Sequence, residues 1–155
     1  MECLDISNLY KQDIVAGFLV FINGEINLTR SNLYKLEKSE QESDLARIRN
    51  ACRIHCYKYS PKTTPELIIV DGGKEQVKAV QNILKELKLK IIVIGLAKDE
   101  NHRTVKIITN DLKELSFGKN DRIKNFLTNC QEEVHRYAIN FHRKLHRQSV
   151  LKKQE

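Results

Sequence analysis

No apolar stretch in this 155-residue sequence is long enough to cross a membrane, and no signal peptide is recognisable. These absences argue against a membrane-embedded or exported chain. Cysteines are few. Cys3, Cys52, Cys56 and Cys130 form no C-x-x-C pair and have no zinc-type spacing, so neither a redox dithiol nor a zinc module is encoded. Cys52 and Cys56 stand one helical turn apart on an apolar face, as reduced core thiols do, which points to the cytoplasm. Internal repeats, low-complexity segments and an internal domain boundary are all lacking, so a single domain over residues 1–155 is expected. Gly72-Gly73-Lys74 lacks the wider G-x-x-x-x-G-K-[ST] frame, which excludes a P-loop.

The most telling absence concerns charge. From Val134 to Gln154 there is no Asp or Glu, while Arg136, Arg143, Lys144, Arg147, Lys152 and Lys153 fall in that stretch. A solvated helix face usually mixes signs, so a one-sign run suits phosphate contact. Beyond Gln148 a frayed basic tail is an equal reading. The formal net charge of +7 agrees with a polyanionic partner. His135, His142 and His146 fall within roughly 40° on a helical wheel. His142 and His146, at i and i+4, have the spacing of a zinc pair but no nearby acid, and zinc is set aside.

What the sequence does contain is organised around Glu66–Gly73, an apolar run ending in one acid. Leu67, Ile68, Ile69 and Val70 are β-formers without alternation, as in a strand buried on both faces. Gly72 and Gly73 end the strand, and a helical pattern opens at Lys74. Asp71 therefore stands at the carboxyl end of a central strand, where open α/β sheets place ligand-binding residues. Taken alone, a turn-capping aspartate is the commoner reading.

Three strands precede this run: Glu2–Ile6, Ile14–Ile22, and one within Glu25–Glu37. Asn23-Gly24 between the last two is a two-residue hairpin signal. A helix is expected from Asp44 to Tyr59, with Leu45, Ile48, Cys52, Cys56 and Tyr59 as its stripe. Two prolines in Ser60–Pro65 break it. After the Asp71 strand comes a helix with Val77, Val80, Leu84 and Leu87 on one face. Ile91–Leu96 reads as another fully buried strand, then Val105–Ile108 and Leu112–Phe117 as a small hairpin or flap. Asp121–Arg147 closes the chain as a long helix, with Ile123, Leu127, Cys130, Val134, Ala138, Phe141 and Leu145 inward.

This order is that of the α/β ribonuclease H-like fold: a mixed sheet of three antiparallel strands then two parallel ones, with flanking helices. There the first and fourth strands lie side by side, so Asp5 and Asp71 meet at one edge. Two carboxylates forced together repel, and a hard cation relieves that repulsion, as metal-assisted phosphoryl transfer requires.

Four motifs carry a closer resemblance. They are Glu2–Ser7, Val70-Asp71-Gly72-Gly73-Lys74, Gly95–Glu100 with His102-Arg103-Thr104, and Glu133–Ala138 with Phe141-His142-Arg143. In this order, over essentially the whole chain, they resemble the C-terminal endonuclease domain of the UvrC family, the incision subunit of bacterial nucleotide excision repair. The resemblance implies a DNA endonuclease, dependent on Mg²⁺ or Mn²⁺, that cuts the damaged strand 5′ to a lesion. It implies a catalytic and metal-binding set of Asp5, Asp71 and His135. Expected DNA contacts are Lys74, Lys98, Arg103, Arg136, His142, Arg143, Lys144 and Arg147. The partners implied are damaged duplex DNA and, through the full-length protein, UvrB with UvrA upstream; the isolated domain is expected to be a monomer. Two positions depart from the family pattern. Glu75 replaces the usual glycine after the lysine of the Asp-Gly-Gly-Lys turn, and Gln131 stands where an arginine is usual. The GIY-YIG nuclease, UvrB-binding segment and helix-hairpin-helix motifs of full-length members have no counterpart here, as in an excised domain. The alternatives are a nuclease of this fold for RNA–DNA hybrids or branched junctions, and a basic DNA-binding module whose acids are structural.

Overall fold

A computed structural model describes residues 1–8, 13–37, 42–98, 104–118 and 121–152, with the backbone alone at Thr104 and Val105. The strands are β1 (Glu2–Ser7), β2 (Ile14–Ile22), β3 (Glu25–Leu36), β4 (Leu67–Asp71), β5 (Ile92–Lys98), β6 (Thr104–Ile108) and β7 (Glu114–Ser116). The helices are α1 (Asp44–Cys56), α2 (Lys74–Glu86) and α3 (Arg122–Lys152). All seven strands join one sheet in the order β3-β2-β1-β4-β5-β6-β7. β1, β2 and β3 pair antiparallel, whereas β1 with β4 and β4 with β5 pair parallel. The mixed ribonuclease H-like sheet expected from the sequence is thus present. The hairpin β6–β7 is no separate flap: it pairs with β5 and extends that sheet. No helix among the described residues is long and apolar enough to cross a membrane.

Local chemistry explains the elements. Asn23 and Gly24 both adopt positive φ, at 52° and 83°, as a tight hairpin turn requires. Ser43 caps α1 by accepting from the Ala46 amide. α1 ends three residues earlier than its apolar spacing suggests, although Tyr59 still packs on the core. The four cysteines are free and buried.

Alternation along the strands divides the interior between two layers. Leu4, Phe18, Ile68 and Val70 face α1 and α2. Cys3, Leu19, Ile69 and Leu96 face α3, against Leu127, Cys130 and Val134. α3 lies over β1 and β2 and only brushes β5. β5 is therefore not fully buried as expected: Ile92, on the α3 face but beyond that helix, is 56% exposed. Ile123 at the start of α3 is likewise exposed, and the helix runs on to Lys152.

One buried polar cluster ties α1 to β1. His55 Nε2 meets Glu2 Oε2 at 2.9 Å, Tyr59 donates its hydroxyl to the same oxygen, and Tyr34 meets His55 Nδ1 at 2.9 Å. The Phe18 ring stacks on His55 with centroids 3.8 Å apart. Glu2 and His55 are both buried, so losing either partner strands the other in a low-dielectric interior.

The turn after β4 depends on a close approach. A Cβ on Gly95 would lie 2.6 Å from the Gly72 carbonyl oxygen and 2.8 Å from Val77 Cγ2. Gly95→Ala should therefore cost about 1–3 kcal/mol, read as a lowered urea midpoint, because backbone has to move to admit the methyl. An unchanged midpoint would show that this turn is not tightly packed.

Candidate active site

The alternation that divides the core also places the acids. Leu4 pairs with Val70 in the parallel ladder, so Asp5 and Asp71 come next, level with one another at the end of the sheet. Cys3 and Ile69, two residues earlier on each strand, face α3, and the two carboxylates turn to that face as well.

α3 meets them with two side chains one turn apart, Gln131 and His135. His135 Nδ1 donates to Asp5 Oδ2 at 2.9 Å, and Gln131 Nε2 donates to Asp71 Oδ1 at 2.7 Å. From β5, Lys98 Nζ lies 3.3 Å from Asp71 Oδ2. Asp5 is 7% exposed, whereas the His135 side chain is 59% exposed, so the imidazole is the open side of the pair. Burial pushes the Asp5 carboxyl above the ordinary range, and the nearby Asp71 charge adds to that; the hydrogen bond and charge of His135 pull it back.

At the same end of the sheet, Asp5, Asp71, Asn8, Asp44 and Gln76 line a cleft of about 260 Å³. Asp44 is an acid that the sequence reading passed over. It follows the Ser43 cap and pairs with Arg47 at 3.0 Å, so in sequence it reads as an ordinary first-turn acid complementing the helix dipole. A larger cleft of about 540 Å³ lies at the other end of β1, around Glu2, His55 and Tyr59. The acid and imidazole on its floor are already paired with each other.

Among the described residues, no three His, Cys, Asp or Glu side chains close into a ready cluster for a metal ion. The donor set still suits a hard divalent cation. Such ions are commonly bound by one or two carboxylates, with water and substrate phosphate completing the shell, rather than by an all-protein cage. His135 has Nδ1 committed to Asp5, which leaves Nε2 for a metal or a proton.

A model of the family described as the UvrC RNAse H endonuclease domain matches residues 1–139. The chain belongs to that family. The UvrABC system protein C of Mycoplasmoides gallisepticum is 38% identical over 155 residues, covering 97% of this chain and 26% of that protein. That of Malacoplasma penetrans is 38% identical over 150 residues, covering 92% and 25%. That of Finegoldia magna is 36% identical over 160 residues, covering 98% and 26%. This chain thus spans about a quarter of the length of these relatives. Among solved structures, human ENDOV aligns with a TM-score of 0.49 and 9% identity over 91% of this chain and 84% of that one.

The residues expected to contact DNA divide into three groups. Lys74, Lys98, Arg136, Arg143, Lys144 and Arg147 are exposed. Of these, Lys74 lies 4.0 Å from Glu114, and Arg136 pairs with Glu133 at 2.7 Å. Arg103 lies outside the described residues. His142 is a correction: at 1% exposure it points into the protein and offers nothing to DNA. The buried stripe of α3 is Leu127, Cys130, Gln131, Val134, Ala138 and His142, whose steps of four drift away from Phe141 and Leu145. The histidine completes that stripe.

Asp5 gives a pH prediction for the metal-free chain. A folded-state pKa raised above the unfolded value means that the native state binds more protons, so stability falls as pH rises through the folded pKa. In EDTA, Asp5→Asn should melt higher than the parent at neutral pH, by roughly 1 kcal/mol, and the gap should close as pH falls into the carboxylate range. A gap that widens on acidification would mean that His135 overcompensates for burial.

Proposed function

We propose that this chain is a divalent-cation-dependent endonuclease domain that hydrolyses a DNA phosphodiester, making the incision 5′ to a lesion in excision repair. The observation that supports it best is the Asp5–His135 pair standing beside Asp71 at an open sheet edge, with the basic end of α3 leading away from it. Asp5 and Asp71 would hold Mg²⁺ or Mn²⁺, which when bound supplies charge neutralisation at the phosphate and lowers the pKa of water.

The rest falls to the chain's own residues. Asp5 holds the imidazole through Nδ1 and favours the tautomer with Nε2 free, so His135 accepts the proton of the attacking water at Nε2. The water oxygen bonds to phosphorus, and the ester oxygen that leaves takes a proton from solvent. Arg143, Lys144 and Arg147 grip the strand by its phosphates and fix its register without reading sequence. Lesion choice then belongs to the longer protein acting with UvrA and UvrB, as the name of the UvrABC system suggests.

Two variants and a substrate comparison test this reading. Asp71→Asn should abolish Mn²⁺-dependent nicking and His135→Ala should slow it by about 10²–10⁴-fold, both with duplex binding retained in gel shifts. Cutting by Asp71→Asn at the parent's rate would move the site elsewhere. Faster cleavage of an RNA–DNA hybrid or a four-way junction than of a lesion duplex would reassign the substrate.

The basic helix makes a separate claim. Neutralising Arg143, Lys144 and Arg147 together should flatten the salt dependence of duplex binding by about one unit of slope per lost phosphate contact. An unchanged slope would turn this end of α3 away from DNA.

A further inference from the structure

The two oxygens of Asp71 are held by donors of different charge. Oδ1 accepts from the Gln131 amide at 2.7 Å, and Oδ2 faces the Lys98 ammonium at 3.3 Å. The surroundings differ as much as the charge does. Gln131 is buried on α3, and a buried glutamine has given up rotamer freedom and hydration, a cost that its hydrogen bonds must offset. The Lys98 side chain is 41% exposed, and an ammonium on a four-carbon stem exchanges partners readily. A neutral donor fixes the carboxylate's rotation without cancelling its charge, whereas a cation on the other oxygen cancels charge without fixing it.

Resting on the paired-acid reading above, we infer that Gln131 is a positioning residue that locks Asp71 through Oδ1 and reserves Oδ2 for a cation, a place Lys98 occupies until a divalent ion displaces it. The ion and the lysine then compete for one oxygen. Metal entry releases an ammonium beside the phosphate-binding edge, so metal and DNA should each favour the other's binding.

The test is Mn²⁺ binding to the DNA-free chain, followed by loss of the free-ion electron paramagnetic resonance signal. Gln131→Met, similar in length and lacking a donor, should weaken binding about 10- to 100-fold with an unchanged circular dichroism spectrum. Gln131→Asn, whose amide is too short to reach, should do the same and serves if the methionine variant misfolds. Lys98→Met should act in the opposite direction, tightening binding about two- to fivefold, as expected when an exposed competing ion is removed. Parent-like Mn²⁺ affinity in both Gln131 variants, or weaker binding in Lys98→Met, would overturn the inference. Binding by Asp71→Asn equal to the parent's would instead bring down the paired-acid reading on which it rests.

Discussion

The parallel pairing of β1 with β4 is the constraint from which the site follows. It brings the ends of two strands, 66 residues apart in sequence, level with one another, and the pleat sends both terminal carboxylates to the same face. Nothing in that pairing favours two acids energetically. The ladder is held by backbone bonds and by the apolar residues before each acid, so Leu4, Ile68, Ile69 and Val70 position Asp5 and Asp71 while the acids themselves oppose it. A site whose charge is unfavourable to folding needs a rigid scaffold, and a central parallel pair buried on both faces supplies one.

β1 carries a carboxylate–imidazole pair on each side of the sheet. Glu2–His55 is buried under α1 among aromatic rings, and Asp5–His135 is open on the α3 face. The chemistry is nearly the same and the accessibility differs. The buried pair locks a helix to the strand, and the open pair leaves an imidazole ring at the surface. Burial therefore separates a pair that holds the fold together from one that solvent can reach.

Much of this was legible in the sequence. The apolar runs Leu67–Val70 and Ile14–Ile22, the Asn23-Gly24 turn and the ordered motifs were enough for the pairing of the first five strands and for naming Asp5, Asp71 and His135 as candidates, whereas the addition of β6 and β7 to the sheet was not legible. What was not legible depends on distance in sequence or on fine angular placement. Glu2 and His55 are 53 residues apart, and nothing local marks either as a partner. Asp44 carries the signature of a helix start, which conceals its place in the cleft. His142 sits so close in angle to His135 that a wheel cannot separate them, yet a small drift of the buried stripe sends one inward and the other out. Gln131 stood out as a departure from the family's arginine, and its bond to Asp71 shows that an amide can hold the carboxylate from that position.

The length of α3 has a metric consequence. At about 1.5 Å per residue, the step from His135 to Arg147 is roughly 18 Å along the helix, and successive phosphates of one strand advance about 3.4 Å along a duplex. On the proposed reading, a backbone contact made by Arg147 on a strand lying alongside falls about five nucleotides from the bond that faces His135. On that reading the helix serves as a ruler whose zero lies near its middle and whose far mark lies in its basic half. Adding or removing a full turn between the two marks would shift the footprint by one to two nucleotides and leave the chemistry where it is.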